Sequence, residues 1–523
     1  MADTKREIER KYESDDGGLP DLTRVPGVAT VLDQGVTHLD ATYHDTADGR
    51  LAASSVTLRR RTGGSDAGWH LKFPVAPGVR DEIRAPLSDT LPDELAALVR
   101  SRVRDSALLP VVRLRSDRDV RHLVDADGRL LAEVGVDTVH AERLTGDGGT
   151  ARWTEIEVEL ADDGDPAFLD KVEKRLRKAG VRPSASASKL ARALADTAPH
   201  ATPAAATAPA PATAPEAAPR RKHRPRTTGK PVTAGDHVLA YVRAQRDALV
   251  ELDPAVRQDV PDSVHRMRVA TRRLRSTFRS FRTVLDREVT DPVGADLKRL
   301  AAELGRDRDQ EVLAERLRSS LADLPDTLVT GPVGHRLTTW AEVRHSKAHG
   351  HLTGILDSRR HLALLDTLDA LLADPPLRKK AGARPDKVLT QAVRKDLGKL
   401  TGLITRALDL PPGPDRDVAL HEARKKTKRT RYAAEAAAPA LGKPADDLVK
   451  AMKSLQGLLG DHQDSVMARQ TLRELAAVAH AAGESAFTYG VLHAREERRA
   501  ELAEAALPEA WASITKDLRP WTT

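Results

Sequence analysis

The stretch from Thr197 to Pro219 most constrains the fold. It is Ala, Pro and Thr apart from His200 and one acid, Glu216. Proline removes amide donors, and the other side chains are too small to offset the entropy of ordering. Such a segment is a partly extended linker without a core. The 523-residue chain is therefore expected to fold as two parts, 1–196 and 235–523, joined by a linker over 197–234. Each part is long enough for its own core. The linker includes a basic run, Arg220–Arg226 (RRKHRPR), which either solubilises it or captures a polyanion.

Before the linker the pattern has a period of two, broken by Gly, Asp and Pro. It reads as mostly strand, with helices near Leu22–Gln34, Leu91–Val99 and Pro166–Ala179. Alternation puts Glu7, Glu9 and Lys11 on one face of a strand, and likewise Arg59 with Arg61 and His70 with Lys72. The same holds for Arg113 with Arg115, Glu133 with Asp137, and Glu155 with Glu157 and Glu159. An open sheet with its charge in water explains any one strand. It explains less well why the faces divide into acidic and basic sets, with Lys11 the exception. A closed barrel with charge inside and helices outside accounts for both, its lumen pairing carboxylate strands with arginine strands around an anion and a metal.

Glu7-Ile8-Glu9-Arg10-Lys11 is an ExExK motif. Tyr43-His44-Asp45-Thr46, Leu58–Arg61, Trp69–Phe73 and Glu155–Leu160 follow it in order. This ordered set resembles the CYTH family, the triphosphate tunnel metalloenzymes. The resemblance implies an eight-stranded tunnel that hydrolyses or cyclises triphosphate-bearing substrates with Mg²⁺ or Mn²⁺. Hard carboxylate oxygens suit those ions, so Glu7, Glu9, Glu157 and Glu159, with Glu133 and Asp137, are expected to bind metal. Arg59, Arg61, Lys72, Arg113, Arg115 and Lys189 are expected to hold phosphate oxygens. Lys189, in SASKLAR, reads equally as an ordinary helix-start lysine. Arg118 resembles a family arginine but differs in parity from Arg115, so it calls for a bulge. Arg80 and Glu82 are weaker candidates. Glu7 and Glu9 are expected to be catalytic with Lys11, which orients the substrate or assists the leaving group.

Beyond Gly235 the period turns helical, with proline mainly at breaks, as in an α-bundle. Seven arginines and no acid lie between Val264 and Arg282. His265, Arg268, Arg272, Arg275 and Arg279 step by 3, 4, 3 and 4, a single stripe on a helix. Val264, Met267, Thr271, Leu274, Phe278 and Phe281 form the adjoining, mostly apolar stripe. With no acid at pairing distance, these arginines repel one another unless an anion lies between them.

The pattern recurs. His421, Arg424, Lys428 and Arg431 repeat the 3, 4, 3 spacing. Lys298 and Lys453 each precede an aspartate, Asp309 and Asp464, by 11 residues, with Leu304–Gly305 and Leu459–Gly460 between. His265 to Asp309 is 44 residues and His421 to Asp464 is 43. Two duplicated helical halves, about 235–380 and 381–523, are expected. These residues resemble the CHAD family, the histidine-containing α-helical domain. That implies pseudo-symmetric bundles around a basic groove for inorganic polyphosphate, lined by the residues of both rows with Arg273, Lys425, Lys298 and Lys453. Lys428 in place of an arginine changes geometry more than charge.

The fold expected is therefore α+β and multidomain, an antiparallel β tunnel barrel with flanking helices followed by an all-α duplicated bundle. Net charge is only +7, so basicity is local. Cysteine is absent, which excludes thiol chemistry and suits a reducing cytoplasm, with polyphosphate granules as a place of association. The charged start, MADTKREIER, does not read as a signal peptide, and no apolar run is long enough for a membrane span. Aromatic residues are 3%, which argues against nucleic-acid base stacking. Three readings remain: a metal-dependent tripolyphosphatase tethered to a polyphosphate binder, a polyanion receptor without catalysis, and an adenylate cyclase-like tunnel. The cluster His345, His349 and His351 reads as solvated helix or loop rather than a metal site.

Overall fold

The computed structural model describes residues 3–14, 18–146, 148–198, 231–518 and 521. Most of the linker, with its basic run, lies outside the described residues. The chain separates into two compact units.

The first unit contains β1 (Asp3–Glu13), β2 (Thr30–Asp45), α1 (Arg50–Ala53), β3 (Thr57–Thr62), β4 (Gly68–Ala76), β5 (Val79–Pro86) and α2 (Asp93–Val103). They are followed by β6 (Leu109–Val124), β7 (Leu130–Arg143), β8 (Thr150–Leu160), α3 (Ala167–Lys178), β9 (Arg182–Pro183) and α4 (Lys189–Asp196). Eight strands pair antiparallel in the order β5-β4-β3-β2-β6-β7-β8-β1, and β1 closes the ring on β5. β1 divides its bonding. Asp3–Ile8 pair with β5, and Glu9–Glu13 pair with β8. The two-residue β9 pairs with the end of β1.

Two stretches of the outward strand faces are largely apolar and covered by helices. Leu58, Trp69, Leu71 and Ile83 pack against Leu95, Leu98 and Val99 of α2. Tyr12, Val134, Ile156 and Val158 pack against Phe168, Val172 and Leu176 of α3. Each fully buried aliphatic side chain contributes roughly 1.5–3 kcal/mol. At one end the ring interior is itself apolar. Ala41, Tyr43, Leu114, Val139 and Trp153 pack there against Leu190 and Ala193 of α4.

One expected helix is absent. Leu22–Gln34 forms turns and then enters β2 at Thr30. Pro26-Gly27 interrupts any helix, Gly27 adopting φ +99°, and the β-branched residues after it favour a strand. Leu22 and Val25 still tuck into the α3 core.

The second unit is helical: α5 (Ala234–Arg257), α6 (Ser263–Ser280), α7 (Arg287–Ala322), α8 (Val333–Leu356) and α9 (Arg359–Ala373). Then come α10 (Pro385–Asp409), α11 (Pro414–Leu441), α12 (Lys443–Ala481) and α13 (Phe487–Asp517). A Thr233/Asp236 capping box starts α5. Val264, Met267, Thr271, Leu274, Phe278 and Phe281, the stripe read from sequence, are all buried. Most of them join one large core with α5, α7, α10, α11 and α12. A smaller core joins the far part of α7 to α8, α12 and α13.

Candidate functional site

The ring encloses a cavity of about 500 Å³. Alternation along each strand decides what enters it. β1 contributes Lys5, Glu7, Glu9 and Lys11; β3 contributes Arg59 and Arg61; β4 contributes Lys72; and β5 contributes Arg80, Glu82 and Arg84. Arg118 and His122 come from β6, Glu133 from β7, Glu157 and Glu159 from β8, and Lys189 from the first turn of α4. The fit of α4 explains Lys189. Its apolar residues fill the end of the ring, and Ser188 caps it by accepting the Ala191 amide at 3.1 Å. The lysine therefore enters the charged zone.

Charges interlock across the cavity. Lys72 bonds Glu7 and lies 3.3 Å from Glu82. Lys11 bonds Glu9 at 2.9 Å and also contacts Glu157. Lys5 bonds Glu159 at 3.0 Å. Arg118 grips Asp137 bidentately at 2.8 and 2.7 Å and also reaches Glu157. Lys189 lies 3.0 Å from Asp137 and 2.8 Å from Glu155, and contacts Glu157. Gly135 makes the Arg118 grip possible, because a Cβ there would come within 3.3 Å of the guanidinium.

The pKa shifts follow. Burial drives Glu7 up to about 7; Lys72 opposes this, while Glu82 and Glu159 add to it. Burial also raises Glu157, but Lys11, Lys189 and Arg118 outweigh it and hold the carboxyl well below the ordinary range. Arg61 falls to about 10 through burial and its neighbour Arg59, with Asp66 opposing. His70 is lowered by burial and by Arg59 and Arg61, although it bonds Glu82 at 2.9 Å.

Of the sequence candidates, Glu7, Glu9, Lys11, Arg59, Arg61, Lys72, Arg118, Glu133, Glu157, Glu159 and Lys189 line the cavity. Asp137 sits just beneath, fully buried. Arg113 and Arg115 do not line it, and this corrects the expectation for both. Arg113 bonds Asp40 on the outer face at 2.9 Å, and Arg115 is exposed between Asp40 and Glu142. The inner face of β6 carries Leu114, Ser116 and Arg118, apolar where α4 fills the ring and charged beyond. Arg118 thus needs no bulge. Arg84, Asp66 and Lys5 were missed. Arg84 shares parity with Arg80 and Glu82, which was the available signal, whereas Asp66 lies in the β3–β4 loop.

The donors suit a hard divalent cation. Asp137, Glu155 and Glu157 place oxygens within 4.8 Å of one another. Burial, with Glu82 and Glu159 adding to it, pushes Glu7 up, and added positive charge beside it would favour its ionised form.

In the helical unit, the basic rows of α6 and α11 fall into two zones. In the first, burial and then the neighbouring Arg268 and Arg424 disfavour the charge of Arg272 and Lys428. Arg268 is held by Asp309 at 2.8 Å and Arg424 lies 3.8 Å from Asp464. The two halves thus repeat one arginine–aspartate pairing. The first Leu-Gly has a use here: a Cβ at Gly305 would stand a tight 3.2 Å from the Arg268 guanidinium, whereas one at Gly460 would make an ordinary 3.7 Å contact with that of Arg424. Lys428 is pushed down to about 7, first by burial, then by Arg424, Arg272 and Arg268.

The second zone is a cavity of about 570 Å³ lined by Arg275, Arg279, Arg282, Arg287, Lys298, Lys395, Lys399 and Arg429. Arg282, Arg287, Lys395, Lys399 and Arg429 were missed from sequence. The signal lay in α10, where Lys395 and Lys399 are one turn apart. Other candidates are engaged differently. Arg273 bonds Glu435 at 2.9 Å and lies over Tyr432, tying α6 to α11, whereas Arg431 lies 3.5 Å from Glu435 one turn along its own helix. Lys425 pairs with Glu422 at 2.7 Å, and His421 bonds Gln463. His265 is half-buried on α6, and Lys453 is exposed on α12. His345 and His351 bond Asp259 at 2.8 Å and Glu303 at 3.0 Å.

A CYTH domain model matches residues 5–194, and a CHAD domain model matches residues 240–473. The uncharacterized protein Rv2226 of Mycobacterium tuberculosis is 36% identical over 98% of this chain and 97% of its own length. Among solved structures, PptA from Streptomyces chartreusis is similar at 24% identity, covering 54% of this chain and 99% of that one, with a TM-score of 0.45. The CHAD domain from the plant Ricinus communis is similar at 24% identity, covering 57% and 97%, with a TM-score of 0.43. The chain therefore belongs to the CYTH family, whose members are triphosphate tunnel metalloenzymes, through its first domain, and to the CHAD family through its second.

Proposed function

We propose that the tunnel hydrolyses a terminal phosphoanhydride of inorganic tripolyphosphate or a related triphosphate, and that the helical domain binds inorganic polyphosphate. The observation that carries this reading is the closed ring whose interior sets Arg59, Arg61, Lys72 and Arg118 among Glu7, Glu9, Glu157 and Glu159. Guanidinium forks suit phosphoryl oxygens, whose charge they neutralise as it develops. Glu7, Glu9, Glu157 and Glu159, with Asp137 deeper, would hold Mg²⁺ or Mn²⁺. That ion, when bound, polarises a phosphoryl group or lowers the pKa of water. Lys11, fixed between Glu9 and Glu157, is placed to orient the substrate or assist the leaving group. Phosphoryl transfer is mainly positioning and charge stabilisation, so no covalent nucleophile is needed.

The cationic cavity and row of the helical domain are read as the polymer's grip, which suits a place at polyphosphate deposits in the cytoplasm. Among the described residues no helix is long and apolar enough to cross a membrane.

The test is phosphate release by the full chain, with Mg²⁺ or Mn²⁺, from tripolyphosphate, long polyphosphate, ATP and thiamine triphosphate. Release from tripolyphosphate is expected. No release with either metal would leave a receptor only, and cyclic AMP from ATP would make the tunnel a cyclase. Polyphosphate should displace DNA from the helical domain, and the reverse would overturn that half of the reading.

A further inference from the structure

Three metal-ligating side chains meet between α11, α12 and α13. Nε2 of His462 lies 3.1 Å from Oε1 of Glu504 and 3.2 Å from Oδ1 of Asp417. The donor atoms of all three lie within 4.8 Å of one another. His462 is 3% exposed. One imidazole nitrogen carries at most one proton, so it cannot give a full hydrogen bond to each of two carboxylates. Were Nε2 unprotonated, its lone pair would face both anions. A cation among the three removes either conflict. Separations of 3.1 and 3.2 Å also approximate the edge of a tetrahedron whose ligand bonds are about 2.0–2.1 Å.

Two further observations separate this cluster from the repeated scaffold and from the basic row. In the register of the doubled pattern, the first half has Asp307 where the second has His462, and Pro261 where it has Asp417. The repeat therefore folds without the trio. Residues two apart on a helix point roughly 200° apart, so His462 is directed away from Asp464, the neighbour of Arg424. Arg416 forms an ion pair with the other oxygen of Glu504 at 3.1 Å.

We propose that Asp417, His462 and Glu504 form a site for a first-row divalent transition ion of the zinc class, distinct from the tunnel's carboxylates. One imidazole with two carboxylates suits Zn²⁺ better than Mg²⁺, which prefers oxygen ligands throughout. The site joins the basic helix α11 to α12 and α13.

The test is Zn²⁺ binding by the untagged full chain, followed by equilibrium dialysis in millimolar Mg²⁺ to saturate hard-oxygen sites. Wild type is expected to retain one equivalent that His462→Gln loses, with Asp417→Asn and Glu504→Gln weakening it at least tenfold. Zn²⁺ should raise the Tm of wild type and not that of Asp417→Asn. Asp417 is partly exposed, so its variant answers the question even if His462→Gln does not fold. Equal Zn²⁺ retention by wild type and Asp417→Asn, or none by wild type, overturns the proposal.

Discussion

The two cavities hold similar volumes but differ in their balance of charge. The tunnel is lined by nine cations and eight carboxylates, whereas the helical cavity is lined by eight cations and two carboxylates. In the tunnel nearly every charge has an internal partner. In the helical domain, Arg272, Arg275, Arg279, Lys298, Lys399 and Lys428 make no ion pair among the described residues. A balanced enclosure suits a substrate that arrives with its own cation. An unbalanced one is complete only with a bare polyanion. On the proposed function, the first arrangement would position reacting atoms and the second would accumulate charge without needing a fixed geometry.

The sharpest way to break this comparison is at the tunnel carboxylates. Glu7→Gln with Glu9→Gln should cut metal-dependent phosphate release by on the order of a thousandfold, leaving polyphosphate binding by the helical domain unchanged. Residual full turnover in a phosphate-release assay would remove these groups from the reaction. Next, Arg272→Glu with Arg275→Glu should weaken polyphosphate binding by roughly a hundredfold, with helical circular dichroism retained. Isothermal titration at two salt concentrations checks both affinity and its electrostatic origin, since screening should weaken wild type more.

Arg59 and Arg113 sharpen the placement of the inner face. Arg59→Ala should lower kcat/KM by roughly ten- to a hundredfold, while Arg113→Ala, on the outer surface, should stay within about twofold. Steady-state kinetics on the pair would reveal an error if Arg113 proved the costlier loss.

The smallest effect concerns pH. Lys428, pushed down to about 7 in the free protein, regains its ordinary preference for the proton when an anion lies beside it. Binding above pH 7 then takes up a proton, so affinity falls as pH rises, by at most about tenfold per unit. Lys428→Arg stays charged and should flatten the profile. A binding series from pH 6 to 9 distinguishes the two.

Strand parity revealed the inner faces of β1, β3, β4, β7 and β8 because there most of the charge falls on one face. It failed at β6, where Arg113 and Arg115 are outer-surface partners of Asp40 and Glu142. Exposed ion pairs and tunnel cations look alike in a sequence; only the packing of α4 against Leu114 tells them apart. The helical stripe was legible because burial spaces its apolar residues periodically. Its division was not, since the acids that hold Arg268 and Arg273 come from α7 and α11. The bed that Gly135 makes for Arg118 was equally hidden, being a contact between neighbouring strands.

The strand that carries ExExK is also the seam of the ring, bonded to β5 by one half and to β8 by the other. It leaves the ribosome before any of its partners, the last long one of which ends at Leu160 and the short β9 at Pro183. At ordinary translation speeds this is a wait of roughly ten to thirty seconds, during which its backbone edge is open to mispairing. Four charges facing one way along β1, Lys5, Glu7, Glu9 and Lys11, hinder such stray association. The side chains that line the tunnel would thus also guard the nascent polypeptide.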